Sequence, residues 1–380
     1  MKIKPLRFNM PYVGKDEAMA ASNAIYSNKI VGNGDYGQRC EAMLKSIFGV
    51  RHALLTTSCT HALELALMSM GIRPGDEVIC PSFTFVSTAN AAVRQKAVPV
   101  FVEADENTLN IDIKDMKKRI TGRTRAIIPV HYAGISCDMD EILDIARKNN
   151  IVVIEDAAHG IGAKYKDRYL GTIGDMGCFS FHATKNITCG EGGVLMTGSD
   201  GYYRRAEIGR EKGTNRAAYM HGEVSKYSWV DEGSSFVLSD ILAAVLIEQL
   251  RKMDEVTKKR RRIFEYYLKG LKCLEDEGRI LLPRVNGDCE VNGHIFYFRM
   301  HTEKERNRCI EALKKKGIEA TFHFLPLHAS PYGMKVLGYN AGDFPVTERV
   351  SRTLLRLPIY PQLTRPKLDF IIDSVIESIS

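Results

Sequence analysis

Residues 139–160 read MDEILDIARKNNIVVIEDAAHG. A helix-length segment is followed by an apolar run, Ile151 to Ile154, that ends in two acids, Glu155 and Asp156. A short apolar run with polar ends reads as a strand buried on both faces, and such strands belong to parallel sheets. Working outward, DEVICPSF (76–83), AVPVFVE (97–103) and RAIIPVHY (125–132) repeat the signal, with helix-length stretches between them. That alternation predicts an α/β fold with a mainly parallel central sheet covered by helices.

From Asp254 the texture changes. One long helical pattern runs from LSDILAAVLIEQL (238–250) through RRRIFEYYLKGL (260–271), and then come a strand, HIFYFRM (294–300), and two helices, ERNRCIEALKKKG (305–317) and KLDFIIDSVIESIS (367–380). This predicts a large domain over 1–253 and a smaller C-terminal α/β domain over 254–380.

Composition narrows the class. A chain of 380 residues, 44% hydrophobic and 26% charged, can bury a full core in two domains of ordinary size. The first residues, MKIKPLRFNMPYVGKDE, hold no apolar run of signal-peptide length, and no segment approaches the ~20 apolar residues of a membrane span. The expected location is the cytoplasm, with no membrane partner. Nine cysteines without a C-x-x-C pair fit reduced thiols, which makes the sequon at Asn186 irrelevant. The net charge of +7 peaks at KKRRR (258–262), inside the long helix, where a charged face explains it without nucleic acid. An anionic small-molecule substrate accounts for the excess equally well.

Ligands of an open parallel sheet collect at the carboxyl ends of its strands. Four such places stand out. Asp156 ends an apolar strand and needs a partner, either the amides of its own turn or a ligand. In LLTTSCTHALELALMSMG (54–71), Ser58, Cys59 and Thr60 fall at a helix N-terminus, where they are ordinary caps or a phosphate site. In PSFTFVSTAN (81–90), Phe83 and Phe85 are core, or a flat surface for a ring. In FSFHATKNITCGEGG (179–193), Lys185 lies between Ser180 and a glycine-rich turn, and burial there lowers a lysine pKa toward nucleophilicity. A phosphate site, an aromatic face, a buried acid and a buried lysine along one sheet edge are the parts that pyridoxal 5′-phosphate requires.

At these residues the chain resembles the sugar-nucleotide aminotransferases of the DegT/DnrJ/EryC1/StrS group, a family of fold type I pyridoxal enzymes. The motifs that carry the resemblance are EDAAHG (155–160), FSFHATKNITCGEGG, GDEVICPSFTFVSTANA (75–91), PVHYAG (129–134) and FLPLH (324–328). The resemblance implies that Lys185 bonds the cofactor aldehyde and then acts as general base, while Asp156 pairs with the pyridine nitrogen. It further implies that His159 contacts the ring hydroxyl and Phe85 stacks on the ring. Ser58, Cys59, Thr60 and Ser180 would hold the phosphate, and His328 would face the substrate.

Two positions depart from the family pattern. Many members have glycine where Cys59 stands, and an N-x-R element where this chain reads Ser235-Phe236-Val237. In the family that asparagine reaches the phosphate in the neighbouring subunit, so a homodimer is expected, with Ser235 donating at most one hydrogen bond. SCTHALELAL (58–67), REKGTNR (210–216) and GSSFVLSD (233–240) are similar to the subgroup that makes dTDP-4-amino-4,6-dideoxygalactose for surface polysaccharides such as O-antigen and related lipopolysaccharide components.

The implied reaction is a ping-pong transamination from L-glutamate to the 4-keto group of a dTDP-keto-sugar. Amination at C3, or of another keto-sugar nucleotide, is the nearest alternative. Related dehydratases carry histidine at the lysine position, and Lys185 is present here. A non-catalytic sensor that only binds pyridoxal phosphate is disfavoured by the intact Lys185 and Asp156. A zinc hydrolase built on His323 and His328 lacks H-E-x-x-H spacing, and the resemblance implies that both histidines lie in the cofactor cleft, so no metal is expected.

Overall fold

A computed structural model describes residues 5–220 and 222–379. The stretch quoted first forms helix Met139–Asn149 and strand Val152–Asp156. Asp138 caps the helix by accepting the Glu141 N–H, acids fill the first turn and bases the last, and Asn150 ends it in the left-handed region at φ 55°. Val153 and Ile154 then alternate, each joining the apolar core on its own side of the sheet.

That strand is central in a seven-stranded sheet of order 52–56, 193–197, 176–180, 152–156, 124–127, 77–81, 98–102. Register is parallel from 98–102 across to 176–180, for example Ile154 opposite Met176 and Asp156 opposite Cys178. Strand Gly193–Thr197 runs antiparallel to both its neighbours. From 77–81 the chain steps to the edge strand, then returns past it to 124–127 and 152–156. The carboxyl ends beside that reversal open the crevice where such sheets bind ligands.

The long helix expected from residue 238 onward is two helices, Asp240–Arg251 and Met253–Gly270. The break at Lys252 lets its ammonium reach Asp16 and Glu17 of helix Lys15–Tyr26, at 3.0 and 2.8 Å. In the C-terminal region strand Phe296–Arg299 pairs antiparallel with Leu354–Leu357, a strand the sequence pattern did not announce. The core around this pair also takes in Leu6, Phe83, Leu109 and Tyr132 from earlier in the chain. The C-terminal region is thereby packed over the carboxyl edge of the sheet and forms one wall of a cleft. Among the described residues, no helix is long and apolar enough to cross a membrane.

Candidate active site

Consecutive strand residues face opposite ways, and the two acids that end strand Val152–Asp156 use this. Glu155 is fully buried on one side, where it accepts the N–H groups of Gly171, Ile173 and Gly174 at 2.8, 2.5 and 2.7 Å. His131 completes the set: its Nδ1 accepts the Cys137 N–H, leaving Nε2–H to donate to Glu155 at 2.9 Å. Asp156 turns the other way, into a cleft of about 590 Å³. It is 5% exposed, accepts the Thr88 hydroxyl at 2.8 Å on one oxygen and the Ala158 N–H at 3.1 Å on the other. Burial pushes its pKa up, while those two hydrogen bonds and the nearby Lys185 ammonium pull it back.

The second wall is the start of helix Cys59–Met70. Ser58 caps it, its hydroxyl accepting the His61 N–H at 3.1 Å. The N–H groups of Cys59 and Thr60, in the first turn, have no intrahelical acceptor. Thr60 is held by Ser87 at 2.7 Å, and Ser58, Cys59, Thr60 and Ser180 all line the cleft. Burial raises the Cys59 thiol pKa well above its usual value, so the group is neutral. Gly193 lies directly against the Ser58–Cys59 peptide, and a Cβ there would stand 2.4 Å from the Ser58 carbonyl carbon. The glycine-rich turn thus serves close approach at Gly193, and a left-handed backbone at Gly190, where φ is +94°.

Lys185 is carried by the loop that this turn closes. Phe181 donates to Gly192 O, Ala183 to Gly190 O and the Lys185 N–H to His182 O, which fixes the loop on itself. The side chain lines the cleft, and the residue as a whole is half-buried. Burial, with a smaller contribution from the Arg356 guanidinium, brings its pKa down to about 8, against the opposing pull of Asp156.

Phe83 and Phe85 divide between the two readings open to them. Phe83 is 1% exposed and packs on Tyr132 and Phe324, whereas Phe85 is 58% exposed on the cleft wall, a face free to stack on a planar ring. His159 also lines the cleft, its ring 4.5 Å from that of His294. Burial first, then the neighbouring cations, hold His159, His294 and His323 below the usual histidine pKa and therefore neutral.

Two expected residues are not brought to the cleft. His328 is 0% exposed, with Nδ1 bonded to Ser82 at 2.7 Å and Nε2 to Glu348 at 3.1 Å, and it does not line the cleft. It ties the C-terminal region to the sheet instead of meeting a ligand. Ser235 is exposed, bridged to Glu211, and lies away from the cleft of its own chain. Among the described residues no cluster of three or more His, Cys, Asp or Glu side chains is placed to hold a metal.

The cleft has a third wall, in which the resemblance placed only His323 and the other residues went unread in the sequence. Phe8, Asn9, Arg260, His294, His323 and Arg356 form it. Arg260 belongs to KKRRR yet is 2% exposed and donates to the carbonyls of Gly293 and His294 at 3.0 and 2.9 Å. Burial and the neighbouring Arg356 bring its pKa down to about 9, which leaves it charged at neutral pH. Its helical spacing was the available signal: Val256, Arg260, Ile263, Phe264 and Tyr267 form one buried stripe.

These walls offer a buried acid, an amine of lowered pKa, an exposed aromatic face and a capped helix start. The model of the DegT/DnrJ/EryC1/StrS aminotransferase family matches residues 11–376. The chain belongs to that family. The spore coat polysaccharide biosynthesis protein SpsC of Bacillus subtilis is 36% identical to this aminotransferase over 378 residues, 97% of the chain and 96% of SpsC. DesV of S. venezuelae superposes with a TM-score of 0.88 at 33% identity, covering 95% of this chain and 93% of that one. Spr1654 of Streptococcus pneumoniae in its PMP form superposes with a TM-score of 0.91 at 26% identity, covering 98% and 97%, and is also solved in a PLP form.

The enzyme is accordingly a pyridoxal phosphate-dependent sugar aminotransferase of the α/β fold shared by these structures. Its cleft fits the cofactor by chemistry. Asp156 would offer its carboxylate to the ring nitrogen, and the helix start would offer N–H groups and hydroxyls to the phosphate. Gly193 keeps that helix start close to the loop that carries Lys185.

Proposed function

We propose that this aminotransferase converts a dTDP-4-keto-6-deoxyhexose into the dTDP-4-amino-4,6-dideoxyhexose, with galacto configuration and L-glutamate as donor. The observation that carries the chemistry is Lys185, with its pKa brought to about 8, in the same cleft as the buried Asp156. Bound pyridoxal phosphate supplies an aldehyde that accepts the amino group and a ring that takes up the electron pair left when a proton departs.

Each residue then has a task. Lys185, released as a free amine, takes the proton from the donor Cα and returns one to the sugar carbon in the second half of the cycle. Asp156 keeps a proton on the ring nitrogen, with Thr88 and Ala158 fixing its orientation. Ser58, Cys59, Thr60 and Ser180 receive the phosphate, and Phe85 covers one ring face. His159, neutral, offers a ring nitrogen to the cofactor hydroxyl. Arg260 and Arg356 give the cleft an excess of positive charge suited to substrates that are both anions.

The choice of sugar rests on SCTHALELAL, REKGTNR and GSSFVLSD, and on similarity to SpsC, a protein named for polysaccharide biosynthesis. We further infer a cytoplasmic homodimer with the region of Ser235 at the partner's active site. Apolar side chains exposed on segments 13–31 and 219–230 support it, among them Tyr26, Val31, Met220 and Trp229, the last 79% exposed. Incubation with L-glutamate and a panel of keto-sugar nucleotides, read by mass spectrometry, tests the substrate. Proton NMR of the product then decides position and configuration: small couplings from H4 mean an axial amine and galacto, large ones gluco, and an amine at C3 overturns the assignment.

A further inference from the structure

Asn186 follows Lys185 and opens the sequon Asn186-Ile187-Thr188, yet it is 3% exposed and both ends of its carboxamide are engaged. Its Nδ2 donates to the Asn292 carbonyl at 3.3 Å, and its Oδ1 faces Nδ1 of His294 at 2.9 Å. That oxygen has no proton to give, so Nδ1 of the neutral His294 ring carries one and donates it. Asn292 is fully buried. Its own Nδ2 donates to the carbonyls of His159 and Ile161 at 2.7 and 2.8 Å, while its Oδ1 accepts the His294 N–H at 2.9 Å. Arg260 holds the same segment from the other side, through the carbonyls of Gly293 and His294. The fit is close. A Cβ on Gly293, where φ is +63°, would stand 2.6 Å from the Arg260 carbonyl carbon, and one on Gly134 would overlap the Asn292 carboxamide.

We propose that Asn186 is the positioning residue of Lys185, held in place by Asn292 and His294. The inference rests on the aminotransferase reading and deepens it. Lys185 must bring Nζ first to the cofactor aldehyde and then, as a free amine, to a proton on the neighbouring carbon. Its side chain is a flexible aliphatic stem, so where Nζ arrives depends on where the loop holds Cα. The hydrogen bonds inside the loop, Phe181 to Gly192 and Ala183 to Gly190, fix its shape but not its place relative to the groups that face the cofactor ring. Asn186 supplies that reference. Through Asn292 it is tied to the backbone at His159 and Ile161, in the turn that follows Asp156. Asn9 and Gln249 also tether the loop, at the Thr184 carbonyl and the Thr188 N–H, but from the N-terminal segment and from helix Asp240–Arg251. A misplacement of about 1 Å at a reacting group can cost about a hundredfold in rate, so a tie between the base and the acid's own turn matters to the chemistry.

The test uses the pyridoxal phosphate holoenzyme of wild type, Asn186→Ala, His294→Phe and His294→Asn, with the destabilised His328→Ala as control. Two quantities are read: the visible circular dichroism of the bound cofactor, which reports how it is held, and the half-reaction with L-glutamate, followed by cofactor absorbance. Asn186→Ala and His294→Phe are expected to weaken the dichroism and to lower the saturating half-reaction rate about tenfold or more, with the glutamate dissociation constant within about threefold of wild type. His294→Asn, whose amide places an N–H where Nδ1 stood, should recover most of what His294→Phe loses. Wild-type rate and dichroism in Asn186→Ala overturn the assignment. So does a fall in rate that His328→Ala matches, which would be a general loss of stability, or weaker glutamate binding at an unchanged rate, which would make Asn186 a substrate contact. His294→Asn as impaired as His294→Phe also refutes it, because the ring and not its donor would then matter. If Asn186→Ala does not fold, the two His294 variants decide. The dichroism needs neither donor nor sugar, so failure of those assignments leaves it readable.

Discussion

Thr88 donates its hydroxyl to Asp156 at 2.8 Å, and Thr84 stands a further 2.8 Å behind Thr88. Thr84 precedes helix Val86–Arg94 and Thr88 lies in its first turn, on either side of the cap Phe85, so one short stretch carries both the proposed stacking face and the support of the acid. Thr88→Val keeps the shape and removes the donor. The Asp156 pKa, already raised by burial, should rise further, because the hydrogen bond that favours the charged form is gone. The acid limb of the kcat–pH profile should therefore move to higher pH, with kcat reduced about tenfold for the loss of one charge-assisted hydrogen bond. An unmoved limb would mean that Thr88 only fills space.

Asp156→Asn tests the acid itself. An amide cannot hold a proton on the ring nitrogen, while its oxygen can still accept the Ala158 N–H and its NH2 can donate to the Thr88 hydroxyl with the direction reversed. Cofactor binding should survive and kcat should fall by about a hundredfold or more. A kcat near wild type would make Asp156 a structural residue.

Lys185 has an ordinary lysine's chemistry displaced to lower pH. Its pKa is about 8, so it is mostly protonated and unreactive at pH 7 and mostly free amine at pH 9. The rate at which cofactor-free protein captures pyridoxal phosphate should rise through about pH 8, well below the ~10.4 of a solvated lysine. Borohydride reduction and peptide mapping should place the pyridoxyl mass on Lys185, and label on another lysine would refute the assignment.

What the sequence disclosed follows from how local each signal is. The parallel sheet was legible because buried strands are apolar from end to end, and Asp156, Ser58 and Lys185 were legible because they sit at strand ends or beside glycines. The residue pattern alone did not separate Phe85 from Phe83, and only the resemblance singled out Phe85, because the pattern does not tell which side of the turn faces the cleft. Arg260 was masked by its basic neighbours, and Arg356 by the short strand Leu354–Leu357, whose partner lies more than fifty residues away. Those pairings are tertiary, and a linear pattern carries no trace of them. Ser235 and the proposed dimer belong to the same category.

Gly193→Ala should disturb the phosphate wall. Its Cβ would meet backbone atoms of Ser58 and Cys59 at 2.4 and 2.5 Å, and backbone cannot swing aside as a side-chain tip can. The strain should cost about 1–3 kcal/mol of stability. Because the relief available is a shift of the helix start, the cofactor dissociation constant should rise along with the fall in melting temperature. A melting temperature lowered with unchanged cofactor affinity would separate this glycine from the phosphate site.

His328 and His323 offer a paired test, since one is locked in the core and the other faces the cleft. His328 is fully buried, bonded at Nδ1 to Ser82 and at Nε2 to Glu348, and its ring packs 4.7 Å from that of Phe344. His328→Ala would take one hydrogen-bond partner from the Ser82 hydroxyl and one from the Glu348 carboxylate and leave a void, which should lower stability by about 2–4 kcal/mol. The denaturant midpoint should fall with an unchanged m-value, while KM for both substrates stays near wild type below the new transition. His323→Ala should do the reverse. Its ring lines the cleft with Nδ1 held by Tyr132 at 3.0 Å, so its removal alters substrate KM with a smaller effect on unfolding. If His328→Ala raised KM as strongly as His323→Ala while leaving the midpoint in place, the buried ring would have to be reached by substrate after all, and the assignment of the two histidines would be reversed.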